Sequence, residues 1–296
     1  MSQEHLNPHQ LQDPPRPVRR AGRNLPAAIA VGVGLVGVVI GTLGWWHWGF
    51  TLLVAVALSL GAVEIHQALK RIGMNSAITP IVVGTVAIQV GSYYASQHPD
   101  RGISSITVLV SMLGLTVLSA LMWRLPKGPD GFVKDASASL FTIAYLPLLG
   151  TAVPLMLGGD LGRERVIAFI ACVVASDTGG YIAGVLFGKH KMAPVISPKK
   201  TWEGFAGSVA GGVLAGVITV TWLLDSAWWV GVLLGVLLVI FGTAGDLVES
   251  MVKRDVGIKD MSSFLPGHGG VMDRLDSLLV AAPVAWLVLY LTVPGG

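Results

Sequence analysis

Charged side chains are scarce in this sequence. Asp, Glu, Lys and Arg make up 12% of its 296 residues, against about 25% in ordinary soluble domains. Together with a mean hydropathy of +0.69, that scarcity excludes a water-soluble globule. Short alternating apolar segments are also missing, which excludes a β-barrel. Cysteine occurs once, as Cys172 inside an apolar span. No intrachain disulfide can form, and the residue reads as a small buried apolar group. No secretory leader is recognisable, because apolar residues begin only near Leu25. Lipidation motifs are absent too, since Ser2 follows Met1 and the chain ends in Pro-Gly-Gly. The stretch 1–23, with Pro8, Pro14, Pro15 and Pro17 among Gln, Asn and Arg, has too little apolar surface to fold. It is expected to form a disordered cytoplasmic tail.

What the sequence has in abundance is apolar runs of about 20 residues, the length that carries an α-helix across a hydrocarbon core of roughly 30 Å. The runs fall at 25–43, 46–69, 76–96, 103–123, 134–157, 165–188, 203–224, 228–249 and 277–293. The fold class is therefore all-α, a polytopic membrane protein of about nine transmembrane helices. Trp45, Trp46 and Trp48 crowd the first connection and Trp228 and Trp229 a later one, at the interfacial depth where Trp is enriched. After the tail, the chain divides into an N-terminal group of helices over 24–163 and a C-terminal catalytic region over 164–296.

Orientation follows from Lys and Arg. With a cytoplasmic N-terminus, the inner segments carry the Arg residues of the tail, then Lys70 and Arg71, then Arg124, Lys127 and Lys134. The later inner loops add Lys189, Lys191, Lys199 and Lys200, and Lys253, Arg254, Lys259 and Arg274, against Arg101, Arg163 and Arg165 outside. One missed or invented helix would invert every later loop and spoil this bias. The C-terminus is then outside, and both polar, motif-rich loops face the cytoplasm. Net charge +3 reflects the same bias. Because the basic residues are spread over several loops rather than gathered in one stripe, no nucleic-acid partner is expected.

Ionisable groups in apolar spans cost about 2.5 to 3.5 kcal/mol each at mid-helix, so each needs a reason. Glu64 and His66 fall near the cytoplasmic end of the second span, within reach of water. Asp177, in Ser176-Asp177-Thr178, lies too deep for that; it is either a helix-packing hydrogen bonder or a functional group. Asp246, Glu249, Ser250 and Lys253 are spaced i, i+3, i+4 and i+7 and share one helical face. Asp273 and Asp276 face together at the start of the last helix, where acids also serve simply as first-turn caps. Carboxylates from two neighbouring helices beside a Gly-rich turn suit a hard divalent cation such as Mg²⁺. Lys253, Arg254, Lys259 and Arg274 offer cationic donors to phosphate. Gly267, Gly269 and Gly270 allow backbone N–H groups to approach an anion at a helix start. His268 has no second His or Cys at zinc-ligand spacing. A second polar loop, from Lys189 to Gly204, adds basic residues and hydroxyls on the same side. The residues alone thus describe a membrane-embedded, divalent-metal-dependent site for a phosphorylated substrate.

The run Ser250-x-Val252-Lys253-Arg254-x4-Lys259-Asp260-x-Ser262-x2-Leu265-Pro266-x-His268-Gly269-Gly270-Val271-x-Asp273-Arg274-Leu275-Asp276 resembles the signature of the phosphatidate cytidylyltransferases, the CDP-diacylglycerol synthases. Ser176-Asp177-Thr178 and Ser197-Pro198-Lys199-Lys200-Thr201-Trp202-Glu203-Gly204 also resemble that family, so the likeness is clear over about 165–280. It implies the reaction CTP + phosphatidic acid → CDP-diacylglycerol + pyrophosphate, with Mg²⁺ and no covalent enzyme intermediate. Asp246 and Asp273, with Asp276 third, are the metal ligands this resemblance implies, and a second cation can share them. Lys253, Arg254, Lys259 and Arg274 would hold phosphates. Ser197, Lys199 and Lys200 would place nucleotide or lipid headgroup, Asp177 would lie on the nucleotide side, and Ser250, His268, Gly269 and Gly270 would line the substrate.

Two other readings stay open at this point. A CTP-dependent polyprenol kinase or related lipid nucleotidyltransferase would use similar groups, and a secondary transporter of an anionic solute would use intramembrane carboxylates for ion coupling. The Gly-rich helix faces suit a homodimer as well as packing within one chain.

Overall fold

The computed structural model describes residues 25–264 and 269–294. The expected tail over 1–23 lies outside the described residues, as does His268. In lipid no water is available to the backbone, so an apolar run must satisfy its own N–H and C=O groups as a helix. The helices are α1 (Leu25–Trp45), α2 (His47–Arg71), α3 (Ile78–Ser96), α4 (Ser105–Arg124), α5 (Phe132–Ile143), α6 (Ala152–Leu157), α7 (Gly162–Phe187), α8 (Trp202–Trp222), α9 (Trp228–Asp255) and α10 (Met272–Thr292). A π-helical turn, Ala144–Leu148 around Pro147, joins α5 to α6. Among the described residues 8 spans are long and apolar enough to cross a membrane, Phe132–Leu157 counting as one, and α1 adds a shorter apolar stretch, Ala30–Trp45.

Helix ends carry local signals. Ser104 accepts from the Thr107 N–H at the start of α4 (3.1 Å), and Thr201 from the Gly204 N–H at the start of α8 (3.1 Å), each satisfying one orphan donor. After α2, Gly73 at φ +74° donates to Lys70 O while Met74 donates to Leu69 O. That C-terminal closure favours glycine because a left-handed φ strains a Cβ. Two extents differ from the hydropathy reading. α9 continues through Ser250, Lys253 and Arg254 to Asp255, and α10 begins at Met272. Apolar character stops before the helix does, because the polar face of α9 meets polar partners rather than lipid. The loop from Lys189 to Thr201 contains an antiparallel hairpin, β1 (Lys191–Ala193) with β2 (Ser197–Thr201).

Packing follows the chain: α2, α3 and α4 are neighbours, and α7, α8, α9 and α10 pack in sequence, with α10 returning to α2 and α6. One apolar cluster gathers Phe50, Tyr93, Met156, Phe169, Leu234 and Leu289. A second gathers Leu58, Ile65, Ile81, Leu146, Met272 and Leu279 and lies under the ends of α2, α9 and the start of α10. At that same end Arg124, only 8% exposed, is no free loop charge. Its Nε donates to Asp135 Oδ2 at 2.7 Å, and Asp135 Oδ1 accepts the Asn75 N–H at 2.7 Å. The α2–α3 and α4–α5 connections are thereby fastened together.

The Gly-rich stretches explain the α7–α8–α9 seam. A Cβ on Gly211 would stand 2.4 Å from Ala175 O, and one on Gly235 would stand 2.6 Å from Gly212 O. Backbones this close depend on small residues, the device that replaces hydrophobic driving force between helices in lipid. Gly235→Leu is expected to lower the unfolding temperature in detergent, an overpacking cost of about 1 to 3 kcal/mol. Gly41→Leu on α1, where a Cβ meets nothing within 4 Å, should leave it unchanged; thermal unfolding of the two variants side by side checks this.

Candidate active site

α9 and α10 bring Asp246, Glu249 and Asp276 together, with one ligand atom from each lying within 4.8 Å of the others. Asp246 and Glu249 are one turn apart on α9, and Asp276 faces them from the first turns of α10. Glu249 is 0% exposed. Its Oε1 has no hydrogen-bonding partner among the described residues, while Oε2 lies against the Lys253 ammonium. Three converging carboxylates repel one another unless a cation intervenes. All-oxygen ligands with one buried oxygen left over fit a hard divalent cation better than a thiophilic one.

Asp273, expected beside Asp246 and Asp276, stands outside that cluster. Its Oδ1 accepts from Lys253 Nζ at 2.8 Å, and its Oδ2 accepts the N–H groups of Met261 at 3.0 Å and Gly270 at 2.8 Å. Lys253 therefore bridges Glu249 on its own helix to Asp273 on the next. The N–H groups at the start of α10 are likewise engaged within the chain. Val271 and Met272 donate to Glu64 Oε1 and Oε2 at 3.0 and 2.7 Å. Gly269, at φ +82°, makes the turn that allows this.

The hairpin closes the site from the other side. Lys200 Nζ lies 2.6 Å from Asp246 Oδ2, and Arg254 Nε donates to Ile196 O at 3.5 Å. Ser250 Oγ is 3.5 Å from Asp246 Oδ1. Ser197 begins β2, and Lys199 is exposed on it. Lys259 and Arg274 are exposed on the loop and on α10. Asp177 is exposed in the middle of α7 and interacts electrostatically with Asp246, Lys200 and Arg274. An ionisable side chain at mid-span is costly in lipid and needs charged or polar groups of this kind nearby.

The profile of the Cytidylyltransferase family matches residues 26–292. The chain belongs to that family. It is 42% identical over 289 residues to the phosphatidate cytidylyltransferase of Mycobacterium leprae, covering 92% of this chain and 89% of that protein. It is 40% identical over 284 residues to the Mycobacterium tuberculosis H37Rv protein of the same name, covering 95% and 87%. A Staphylococcus epidermidis phosphatidate cytidylyltransferase is 33% identical over 274 residues, 91% of this chain and 99% of that one.

Two residues of this family member escaped the sequence reading. Glu64, placed there within reach of water, is 5% exposed and takes three hydrogen bonds, the third from Ser262 Oγ at 2.6 Å. An acid in the run Ala62-Val63-Glu64-Ile65 was a signal, but its partners lie some 200 residues away in sequence. Tyr145, in the π-helical turn, has a buried hydroxyl with no partner among the described residues. It packs in the same apolar cluster as Val252 of α9 and Met272 and Leu275 of α10. Pro147 two residues on was its only signal, since irregular turns inside helices gather at functional sites.

Lys253→Ala would leave Glu249 buried without its cation, so stability should fall by about 3 to 5 kcal/mol. The double variant Lys253→Met with Glu249→Gln should recover most of that stability. Chemical denaturation in detergent measures both, and equal stability of the two variants would exclude the pairing as the cause.

Proposed function

We propose that this chain is a phosphatidate cytidylyltransferase: it transfers the cytidylyl group of CTP to phosphatidic acid, giving CDP-diacylglycerol and pyrophosphate. The observation that carries the reading is the carboxylate cluster of Asp246, Glu249 and Asp276, set among Lys200, Lys253, Arg254 and Arg274 at one end of a bundle of apolar helices. Its relatives' names and the family match support the same reaction. In that reaction a phosphate oxygen of phosphatidic acid attacks the α-phosphorus of CTP. The bond from that phosphorus to the bridging oxygen breaks, and pyrophosphate leaves with the electron pair.

Asp246, Glu249 and Asp276 would hold the divalent cation, Mg²⁺ in this reading, and a second cation would share the same carboxylates. A cation held there would supply charge neutralisation to the phosphate oxygens. Lys253 holds Glu249 and Asp273 in register, so Asp273 acts by positioning rather than by ligation. Arg254, Lys259 and Arg274 bind the triphosphate, with Lys199, Lys200 and Ser197 on the hairpin fixing the nucleotide or the lipid headgroup. Ser250 steadies Asp246, Asp177 lies on the nucleotide side, and Gly269, Gly270 and His268 line the substrate. The protein's contribution is orientation and charge neutralisation. Acyl chains would stay in lipid while the headgroup reaches the site laterally, and CTP arrives from water. The site therefore faces the cytoplasm, with the N-terminus inside and the C-terminus outside the cell membrane.

The test is purified protein with phosphatidic acid, Mg²⁺ and CTP labelled separately in cytosine and in the α-phosphate. Both labels should enter the organic phase together and vanish with EDTA; with CTP labelled in the γ-phosphate instead, label entering lipid while cytosine does not would make the protein a kinase. Asp246→Asn, Glu249→Gln and Asp276→Asn should each raise the Mg²⁺ concentration for half-maximal rate by about 10- to 100-fold. Asp273→Asn should lower the rate at an unchanged Mg²⁺ requirement. A raised requirement in that last variant would return Asp273 to the cation.

A further inference from the structure

We infer that Glu64 is a positioning residue for this site: a carboxylate from α2 that holds the signature loop and the first turn of α10 in working geometry. The inference rests on the cytidylyltransferase reading for its activity readout, but not for its structural one. Glu64 is 5% exposed and contributes nothing to the metal cluster. Both of its oxygens are used. Oε1 accepts from Ser262 Oγ at 2.6 Å and from the Val271 N–H at 3.0 Å, and Oε2 accepts from the Met272 N–H at 2.7 Å.

A carboxyl group this deep is tolerated only when hydrogen-bonding partners surround it, and here they are two orphan N–H groups of a helix start and one loop hydroxyl. An anion at that place is also favoured by the helix dipole. Gly270 fits the contact, since a Cβ there would stand 2.7 Å from Glu64 Oε2. From the held segment the linkage runs onward. Gly270 donates to Asp273, Asp273 accepts from Lys253, and Lys253 lies against Glu249 of the cluster. Glu64 thus sets where Asp273 and Asp276 stand relative to α9 without touching substrate. It also extends the site beyond the C-terminal helices, to a residue whose sequence neighbours carry no phosphate-binding chemistry.

The test uses the full-length protein in detergent with Glu64→Ala, Ser262→Ala and the double variant. Amide hydrogen exchange at Val271 and Met272 should accelerate in Glu64→Ala while exchange in α7 and α8 stays as in the wild type. Turnover should fall by roughly 10- to 100-fold, mostly in kcat, with KM for CTP little changed. Ser262→Ala, which removes one donor of three, should give a smaller loss. Added to Glu64→Ala it should cause no further loss, because the two act through one contact. Wild-type exchange and wild-type turnover in Glu64→Ala would overturn the inference, as would fully additive losses. If Glu64→Ala does not fold, Ser262→Ala alone decides. A fall in kcat with faster Val271 exchange supports the role, and no change in either removes it. A wild-type protein that transfers no cytidylyl label would defeat the catalytic reading, while the exchange data would still judge Glu64.

Discussion

A buried carboxylate must be faced by positive charge or by donors, and at one end of this bundle the wholly buried Glu249 stands among Asp246 and Asp276, with Asp273 beside them. Lys253 carries the largest share of that requirement. Its ammonium stands against Glu249 on α9 and Asp273 on α10, so the two helices that supply the acidic cluster are joined by the same cation that makes the cluster tolerable. A pair of this kind adds little net stability compared with apolar packing, yet removing one member is costly. Its effect is therefore on specificity: α9 and α10 have one register in which their charges are answered. Lys200 extends the same logic to the hairpin, whose position over the site is fixed by its approach to Asp246.

Backbone-to-backbone contact along the glycine seam lets α7, α8 and α9 stand close together. Asp177 of α7 thereby comes within electrostatic reach of Asp246 on α9 and Arg274 on α10. The same small residues hold the helices together where lipid supplies no hydrophobic driving force between them.

Much of the fold was legible because the bilayer imposes one length on every span. Where the sequence reading fell short, the reason was polar satisfaction within the protein. α9 runs on to Asp255 because Lys253 finds Asp273 on α10, whereas a hydropathy reading ends the helix where apolar character ends. The hairpin over Lys191–Thr201 has strands of 3 and 5 residues with an irregular register, too short to show an alternating pattern. In the site, the face shared by Asp246 and Glu249 was visible from i, i+3 spacing. That Glu249 rather than Asp273 would meet Asp246 and Asp276 was not, because the choice depends on the rotation of α10 about its own axis.

That rotation is itself set from a distance. The segment between α9 and α10 contains Gly257 at φ +72° and Gly269 at φ +82°, left-handed conformations that glycine adopts without strain. Left to local forces, the first turn of α10 would fray, since its N–H groups have no intrahelical acceptors. Two carboxylates replace them: Asp273 from within the turn and Glu64 from α2, packed on a rigid helix whose neighbours Ala62 and Ile65 are wholly buried. The start of α10 is thus fastened to a buried face of α2 by hydrogen bonds to its backbone, which constrain position without demanding particular side chains. A signature contiguous in sequence can therefore be read as a motif, while the group that orients it is free to come from anywhere in the chain that the fold brings near.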